Sequence, residues 1–439
     1  MMTLSRSVRV LLVLCWVAGA LPRPARADGA FPDEFSIHFP AAAPDRIIVG
    51  ANFGVMISED RGATWRYACE PYVTEDSSNP LAMINVVYYQ IGAADGELFQ
   101  VATNFKMRKS GDLGCTWTTS GGAMASLQAI DMFPSPTDAQ FVVAIGVDPT
   151  GAGSSLLASH DGGTTFEAPL TTQKASLFSS VELSATGILY TTVLAPGLAQ
   201  LWRSDDSGQT WAKYDLPRLP NGIAPQARII AIDPEDASTA YLRLIGPPYD
   251  AVAIATGGGQ AFQIALTVSD SALSAFARGT DKTLYAGTPD GRLFVRPPPS
   301  GQTPQPPFGA AIKAPHFRCL GQRFGTTDLY ACGNMFQDGF SVGVSHDNGI
   351  SFQKVMTLPE MQGPLTCTTV QTACAAHWAR IQSVFAAPDG GTGSDAGNPD
   401  AGGAPPSGGS HCSSAGAGPL ALLGMIGCAR RARRRRRAR

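Results

Sequence analysis

Five segments of the chain set a serine, an aspartate, a glycine and a hydroxyl residue before an aromatic at fixed offsets, S-x-D-x-G-x-[ST]-[WF]. They run from Ser58 to Trp65, Ser110 to Trp117, Ser159 to Phe166, Ser204 to Trp211 and Ser345 to Phe352. Two chemistries are open to such aspartates. A carboxylate facing a substrate can act as acid, base or nucleophile. Within a tight turn it instead accepts backbone N–H groups of its own segment, while glycine supplies a positive φ. Each copy follows one apolar alternating run and opens another, the setting of a β-hairpin turn, so Asp60, Asp112, Asp161, Asp206 and Asp347 are expected to be structural. His160 and His346 fall inside two copies, and metal ligation there is not expected.

The remaining candidates are scattered. Glycoside hydrolysis needs two carboxylates facing each other about 5–10 Å apart, and Glu70, Asp76, Asp250 and Asp338 lie in loop segments that could supply them. The chain has no G-x-S-x-G, no H-E-x-x-H and no G-x-x-x-x-G-K, so neither a nucleophile elbow, a zinc helix nor a phosphate cradle is expected. No cofactor is implied.

The elements that must position these residues repeat. The five segments start at 58, 110, 159, 204 and 345, with spacings of 45 to 52 residues followed by a gap of 141, three times 47. Two weaker copies are expected inside that gap. Ala255 to Phe262 keeps a glycine and the aromatic but not the aspartate, and Pro297 to Pro304 keeps only Gly301 and Thr303. Each unit carries four short apolar runs, among them first strands such as Phe35 to Phe39 and Arg228 to Asp233, and second strands such as Arg46 to Val49 and Ala240 to Leu244. Seven units with a period near 48 predict an all-β fold, a seven-bladed β-propeller of four-stranded blades. Only Ala373 to Phe385 suggests a helix, giving a short C-terminal helix or loop. In this topology the fourth-to-first and second-to-third connections share one face, opposite the aspartate turns. Long loops on a rigid scaffold are where function is usually carried. Tyr72, Tyr214, Arg218, Tyr249, Asp250 and Asp338 are therefore the candidate ligand-face residues.

The ends lie outside the propeller. Residues 1–27 read as a signal peptide, with Arg6 and Arg9, an apolar run from Val10 to Leu21, and Ala25-Arg26-Ala27 before Asp28. The propeller is assigned to 28–387 and a Gly/Pro/Ser-rich linker to 388–411. Segment 412–439 holds Cys412, the apolar stretch Ala415 to Ala429 and eight arginines. Fifteen apolar residues are short of the ~17–25 that a span needs, but a terminal Arg block suits a segment held with its end in the cytoplasm. Four of the 33 basic residues lie in the signal and eight in the tail, whereas only three of the 35 acidic residues lie outside the body. The body is thus about eleven charges negative, which argues against nucleic acid or anionic lipid as its partner. Six cysteines remain in the body, an even count that favours disulfides in an exported domain. Cys319–Cys332 is expected across a hairpin, Cys367–Cys374 across a small loop, and Cys69–Cys115 between the first two units.

The five intact segments resemble the Asp-box (BNR) repeats of sialidases, sortilin-type receptors, some endoglucanases and photosystem-assembly factors, and with the two weaker copies the resemblance covers nearly all of residues 33 to 358. It implies propeller turns on the rim away from the usual ligand face. An Asp-box sialidase carries three arginines for a carboxylate, a Tyr–Glu nucleophile pair, an acidic donor and an Arg-Ile-Pro phrase. Here Arg46-Ile47-Ile48 lacks the proline, and such enzymes have six blades. The tail resembles C-terminal sorting signals of the myxobacterial type, which implies processing or attachment near Cys412; a plain single-span anchor is the alternative. The expected function is a non-catalytic β-propeller displayed on the cell surface. It would be a monomeric body that binds a glycan or protein and meets the envelope sorting machinery through its tail. A secreted glycoside hydrolase using loop carboxylates is the alternative.

Overall fold

The computed structural model describes residues 34–75, 87–102, 106–174, 176–299, 306–323 and 325–386. The expected signal and linker, Cys412 and the arginine-rich end lie outside the described residues, as does Asp76. Seven four-stranded antiparallel sheets follow one another along the chain, each built from consecutive strands except that the third skips the short Thr165–Phe166, which pairs in parallel with Gly121–Gly122. Their first strands are Glu34–His38, Val87–Ile91, Gln128–Pro134, Leu177–Leu183, Gln226–Ile232, Ala275–Arg278 and Cys319–Gln322. These strands pack beside one another around the axis and close the ring between the first and the seventh. The sheets are numbered here as blades 1 to 7.

Burial explains why middle strands read as continuous apolar runs. Ile47–Ala51 and Gly54–Ser58 of blade 1 are buried at every residue, because each blade is covered on both faces by its neighbours. The core sits in the wedges between blades: Val143, Ile145, Phe178, Val181 and Trp202 join blades 3 and 4, and Tyr190, Leu201, Ile229 and Leu242 join blades 4 and 5. One wedge contact requires glycine. A Cβ on Gly287 of blade 6 would lie 2.6 Å from a ring carbon of Phe317, which leads into blade 7.

The five intact turns lie between third and fourth strands and share one hydrogen-bond pattern. In the second, Asp112 accepts from Thr116 N at 2.8 Å, from Thr116 Oγ1 at 2.7 Å and from Ser110 Oγ at 2.8 Å. Ser110 Oγ accepts from Gly114 N, and the Trp117 indole donates to Gly114 O. The turn asks for more than one positive φ: Arg61, Leu113, Ser207 and Asn348, each directly after its aspartate, also sit in the left-handed region. The turn of blade 5 uses three glycines instead, Gly257, Gly258 and Gly259, all at positive φ. That of blade 6 lies between Arg292–Arg296 and Ile312–Lys313, with residues 300–305 outside the described set.

Among the described residues no strand is exchanged to close the ring. Phe39 packs on Tyr330 with centroids 4.9 Å apart, joining blade 1 to blade 7. The chain then crosses the outer edge of blade 1. Tyr67 N donates to Gly363 O, Leu365 N donates to Tyr67 O, and a parallel bridge pairs Tyr67 with Pro364. Beyond this strap come helix α3 (Thr368–Ala386), after α1 (Glu70–Thr74) and α2 (Met335–Asp338) earlier in the chain.

Cys319–Cys332 forms as expected, across directly paired residues. The other two expected pairings are corrected. Cys374 bonds to Cys69 and Cys367 bonds to Cys115. The reason is the helix: Cys367 and Cys374 straddle two turns of α3, about 10 Å of rise, beyond the ~7 Å Cα limit for a bridge. The buried face Val370, Cys374, His377 and Ile381 turns Cys374 toward blade 1.

Candidate functional site

The loop face uses up most of the residues expected to serve a ligand. Tyr72 lies in α1 and donates its hydroxyl to Cys115 O at 2.6 Å, so it ties blade 1 to blade 2. Glu70 is buried and accepts from Thr74 Oγ1. Tyr214 lies in the outer strand of blade 4, its ring against Gly259 of blade 5. Tyr249 is half-buried against the wedge between blades 4 and 5. Asp250 is buried in a two-pronged pair with Arg243, at 2.6 Å on Nη2 and 3.0 Å on Nε, and it also accepts from Leu273 N. Asp338 accepts from His316 N and Asn334 N, and its other oxygen is 2.8 Å from His316 Nδ1. Only Arg218 is exposed, donating to Gly222 O and Gly197 O. The structure does not bring these six together. Each serves its own loop or blade junction.

On the opposite face His160 Nδ1 lies 3.0 Å from Glu167, and His346 Nδ1 lies 2.7 Å from Asp328. Arg46 pairs with Glu59 and Asp95. Among the described residues no group of three His, Cys, Asp or Glu side chains is placed to hold a metal ion.

A second group of polar residues lies on the axis. Tyr88, Asp131, Glu182 and Arg228 belong to the first strands of blades 2, 3, 4 and 5. Arg228 Nη1 donates to Tyr88 Oη at 3.1 Å, with its guanidinium carbon 5.0 Å from the ring centroid. Blades 2 and 5 are three steps apart in a ring of seven, so this contact crosses the central channel. Its origin is local. The first strands of blades 3, 4 and 5 each shift register once, at Ala129/Asp131, Phe178/Ser180 and Ile229/Ala231. Backbone N–H groups near these irregularities are met from the preceding blade: Asp131 Oδ2 accepts from Val181 N, and Ser180 Oγ accepts from Ile229 N.

Burial sets the protonation of this cluster. It pushes the Glu182 carboxyl up to about 8, with the charge of Asp131 adding to the effect and a backbone bond from Ile232 opposing it. Asp131 is also raised by burial, against the pull of Arg228 and two backbone N–H groups. Arg228 is held above its ordinary value, since Tyr88 and Asp131 outweigh its burial. In both carboxyls burial thus favours the protonated form, most strongly in Glu182. The sequence did carry a signal for the cluster. Each residue is polar within an apolar strand, as in Gln128-Ala129-Ile130-Asp131-Met132-Phe133 and Leu177-Phe178-Ser179-Ser180-Val181-Glu182-Leu183.

No family model matches the sequence, and no curated protein matches it. Several solved structures are similar in fold. YCF48 from Cyanidioschyzon merolae aligns at 12% identity and TM-score 0.47, over 68% of this chain and 92% of that one. The extracellular domain of the putative one-component system BT4673 from B. thetaiotaomicron aligns at 10% identity and TM-score 0.47, over 72% of this chain and 38% of that one. The GH74 xyloglucanase from Xanthomonas campestris aligns at 14% identity and TM-score 0.39, over 72% of this chain and 51% of that one. At these values the likeness concerns the fold and carries neither activity nor ligand.

Proposed function

We propose that this is an exported, envelope-anchored β-propeller, displayed at the cell surface, that binds a glycan or protein without transforming it. One observation carries the reading: the loop-face carboxylates suited to hydrolysis are engaged internally, Asp250 with Arg243, Asp338 with His316 and two backbone N–H groups, and Glu70 with Thr74. Three disulfides support an oxidising address. The Asp-box likeness of the five turns supports a scaffold role for their aspartates, and the sorting-signal likeness of 412–439 supports anchoring near Cys412. The body acts as a monomer, with no cofactor.

One observation favours hydrolysis as a second reading: Asp131 and Glu182, on the first strands of adjacent blades, are coupled carboxyls that burial raises, Glu182 to about 8. The test is retention against release. Immobilised full-length protein is exposed to polysaccharides and sialylated glycoprotein, and both capture and new reducing ends or free sialic acid are measured. Capture without release is expected; release that Glu182→Gln abolishes would establish the hydrolase. For the address, truncation after Ser410 should release soluble propeller into the medium while the full chain fractionates with the envelope. Equal secretion of both would refute the anchor.

A further inference from the structure

Three loop tips meet on the loop face above blades 4 and 5. Pro196-Gly197 turns the hairpin between the second and third strands of blade 4, residues 216–225 lead from blade 4 to blade 5, and Pro247-Pro248 turns the corresponding hairpin of blade 5. Two polar side chains of the connecting loop fasten all three. Arg218 donates Nη1 to Gly222 O at 2.8 Å and Nη2 to Gly197 O at 3.3 Å. Asn221 donates Nδ2 to Gly246 O and Pro247 O, each at 3.1 Å, while its Oδ1 accepts from Ile223 N. Leu216 and Leu219 anchor the loop from below in the wedge core, and a Cβ on Gly246 would lie 2.7 Å from a Leu219 methyl. One guanidinium thus holds two carbonyls whose next residues are Leu198 and Ile223, large apolar side chains that are 39% and 52% exposed. Pro247 and Pro248 are exposed on the third tip. Exposed apolar side chains gathered on fastened loops mark an interaction surface.

The chemistry of this surface separates the two ligand classes left open above. A glycan is held by hydrogen bonds to its hydroxyls, but the Asn221 amide is spent on the loops and the prolines have no N–H to give. A protein is held by apolar burial around a few anchors, arginine prominent among them. Charge narrows the class further. Segments 195–198, 216–225 and 246–249 contain no acidic residue, in a body about eleven charges negative. Arg218 is their one basic residue, and it has no ion-pair partner among the described residues. A second copy docked on the same patch about a two-fold axis would set Arg218 against Arg218. The arginine-rich end of this chain carries the same wrong sign.

We propose that Leu198, Ile223 and Arg218 form a docking site for a segment of another protein that carries a carboxylate beside a large apolar side chain. This site rests on the non-catalytic binding reading above and names its partner. The apolar side chain covers Leu198 and Ile223. The carboxylate takes guanidinium N–H groups that the bonds to Gly222 and Gly197 leave over. Because the loops are already fastened, little ordering is lost on binding.

The experiment selects from a phage-displayed library of random dodecapeptides on the immobilised full chain, and measures the enriched sequences as synthetic peptides by fluorescence polarisation. Enriched peptides are expected to place Asp or Glu beside Leu, Ile, Met or Phe. Ile223→Asp should weaken their binding about tenfold or more with the melting transition kept, since the side chain is exposed. Arg218→Gln should weaken the acidic peptide about tenfold but leave unchanged the binding of the same peptide carrying Asn or Gln in place of its carboxylate. A role confined to fastening the loops would weaken both peptides alike. No enrichment, enrichment of sequences without an acidic residue, binding that survives Ile223→Asp, or equal weakening of both peptides by Arg218→Gln would each overturn the proposal. Self-association, or capture of a neutral polysaccharide, that Ile223→Asp abolishes would overturn it as well. None of these outcomes touches the non-catalytic reading, which falls only if new reducing ends or free sialic acid appear.

Discussion

Replacing Cys115 and Cys367 together with alanine would remove the outer of the two bonds that hold α3, and the loss can be worked from connectivity. Alone, each bond closes a very long loop, 252 residues for Cys115–Cys367 and 305 for Cys69–Cys374. With Cys69–Cys374 intact, however, the shortest loop that Cys115–Cys367 closes runs from Cys69 to Cys115 and from Cys367 to Cys374, about 53 residues in all. Chain entropy then gives about 4 kcal/mol for either bond in the presence of the other, and about 10 kcal/mol for both. Single losses therefore sum to about 2 kcal/mol less than the double loss, and the double variant approaches the whole stability of an ordinary domain. Side effects should be small at Cys115, which holds the variable place taken by Ala63, Thr164, Gln209 and Ile350 in the other turns. Urea unfolding followed by tryptophan fluorescence measures the cost, and hydrogen exchange across the blade 7 to blade 1 junction locates it. A cost under ~1 kcal/mol for the single pair, or single costs that simply add, would refute the idea that the two bonds close one shared loop and together hold α3 to blades 1 and 2.

Asp112→Ala should cost about 1 kcal/mol in a thermal melt, since Thr116 N and Thr116 Oγ1 lose their acceptor in a turn open to water. Gly259→Ala should destabilise by about 2 kcal/mol or more, because φ there is 104° and a Cβ would lie 2.6 Å from a Tyr214 ring carbon; a full S-x-D-x-G-x-T-W segment built into blade 5 would place new side chains against Arg203 as well. Hydrogen bonds from Thr210, Thr165 and Ser351 hold Asp206, Asp161 and Asp347 down at about 2, so their contribution is present above pH 3.8 and is lost as pH falls through 2; an acid titration of the melting point should show this late phase. His377 in α3 is lowered to about 4 by burial and by Arg380. Its neutral form is favoured on folding, so stability is full above pH 6.5 and declines by up to about 3 kcal/mol as pH falls to 4, and a His377→Gln variant should flatten that decline.

What could be read from the sequence was whatever is closed within one blade. Ser110, Asp112, Gly114, Thr116 and Trp117 satisfy one another inside eight residues, so pattern and period sufficed to place seven blades of four strands. Cys319 and Cys332 belong to one hairpin, and they pair. The same local habit misled the reading elsewhere. Cys367 and Cys374 look like a small loop until a helix separates them, and nothing near Cys69 or Cys115 states where a segment some 250 to 300 residues away will land. Asp250 and Asp338 look like free loop acids because no motif marks Arg243 or Asn334 as a near partner, and Leu273 and His316 come from other loops.

The axial cluster lies at the far end of that scale. Tyr88 and Arg228 are 140 residues apart and share no blade, no turn and no motif. Each is visible only as a polar residue out of place in an apolar strand, which is normally an unfavourable choice. The ring makes the choice tolerable, because a first strand keeps one edge toward the channel while its faces are packed against neighbouring blades. In a propeller, then, a polar residue in a first strand bears on the channel even when nothing local explains it. Arg228 is the sharpest case, since its position is accounted for through Tyr88, a residue three blades away.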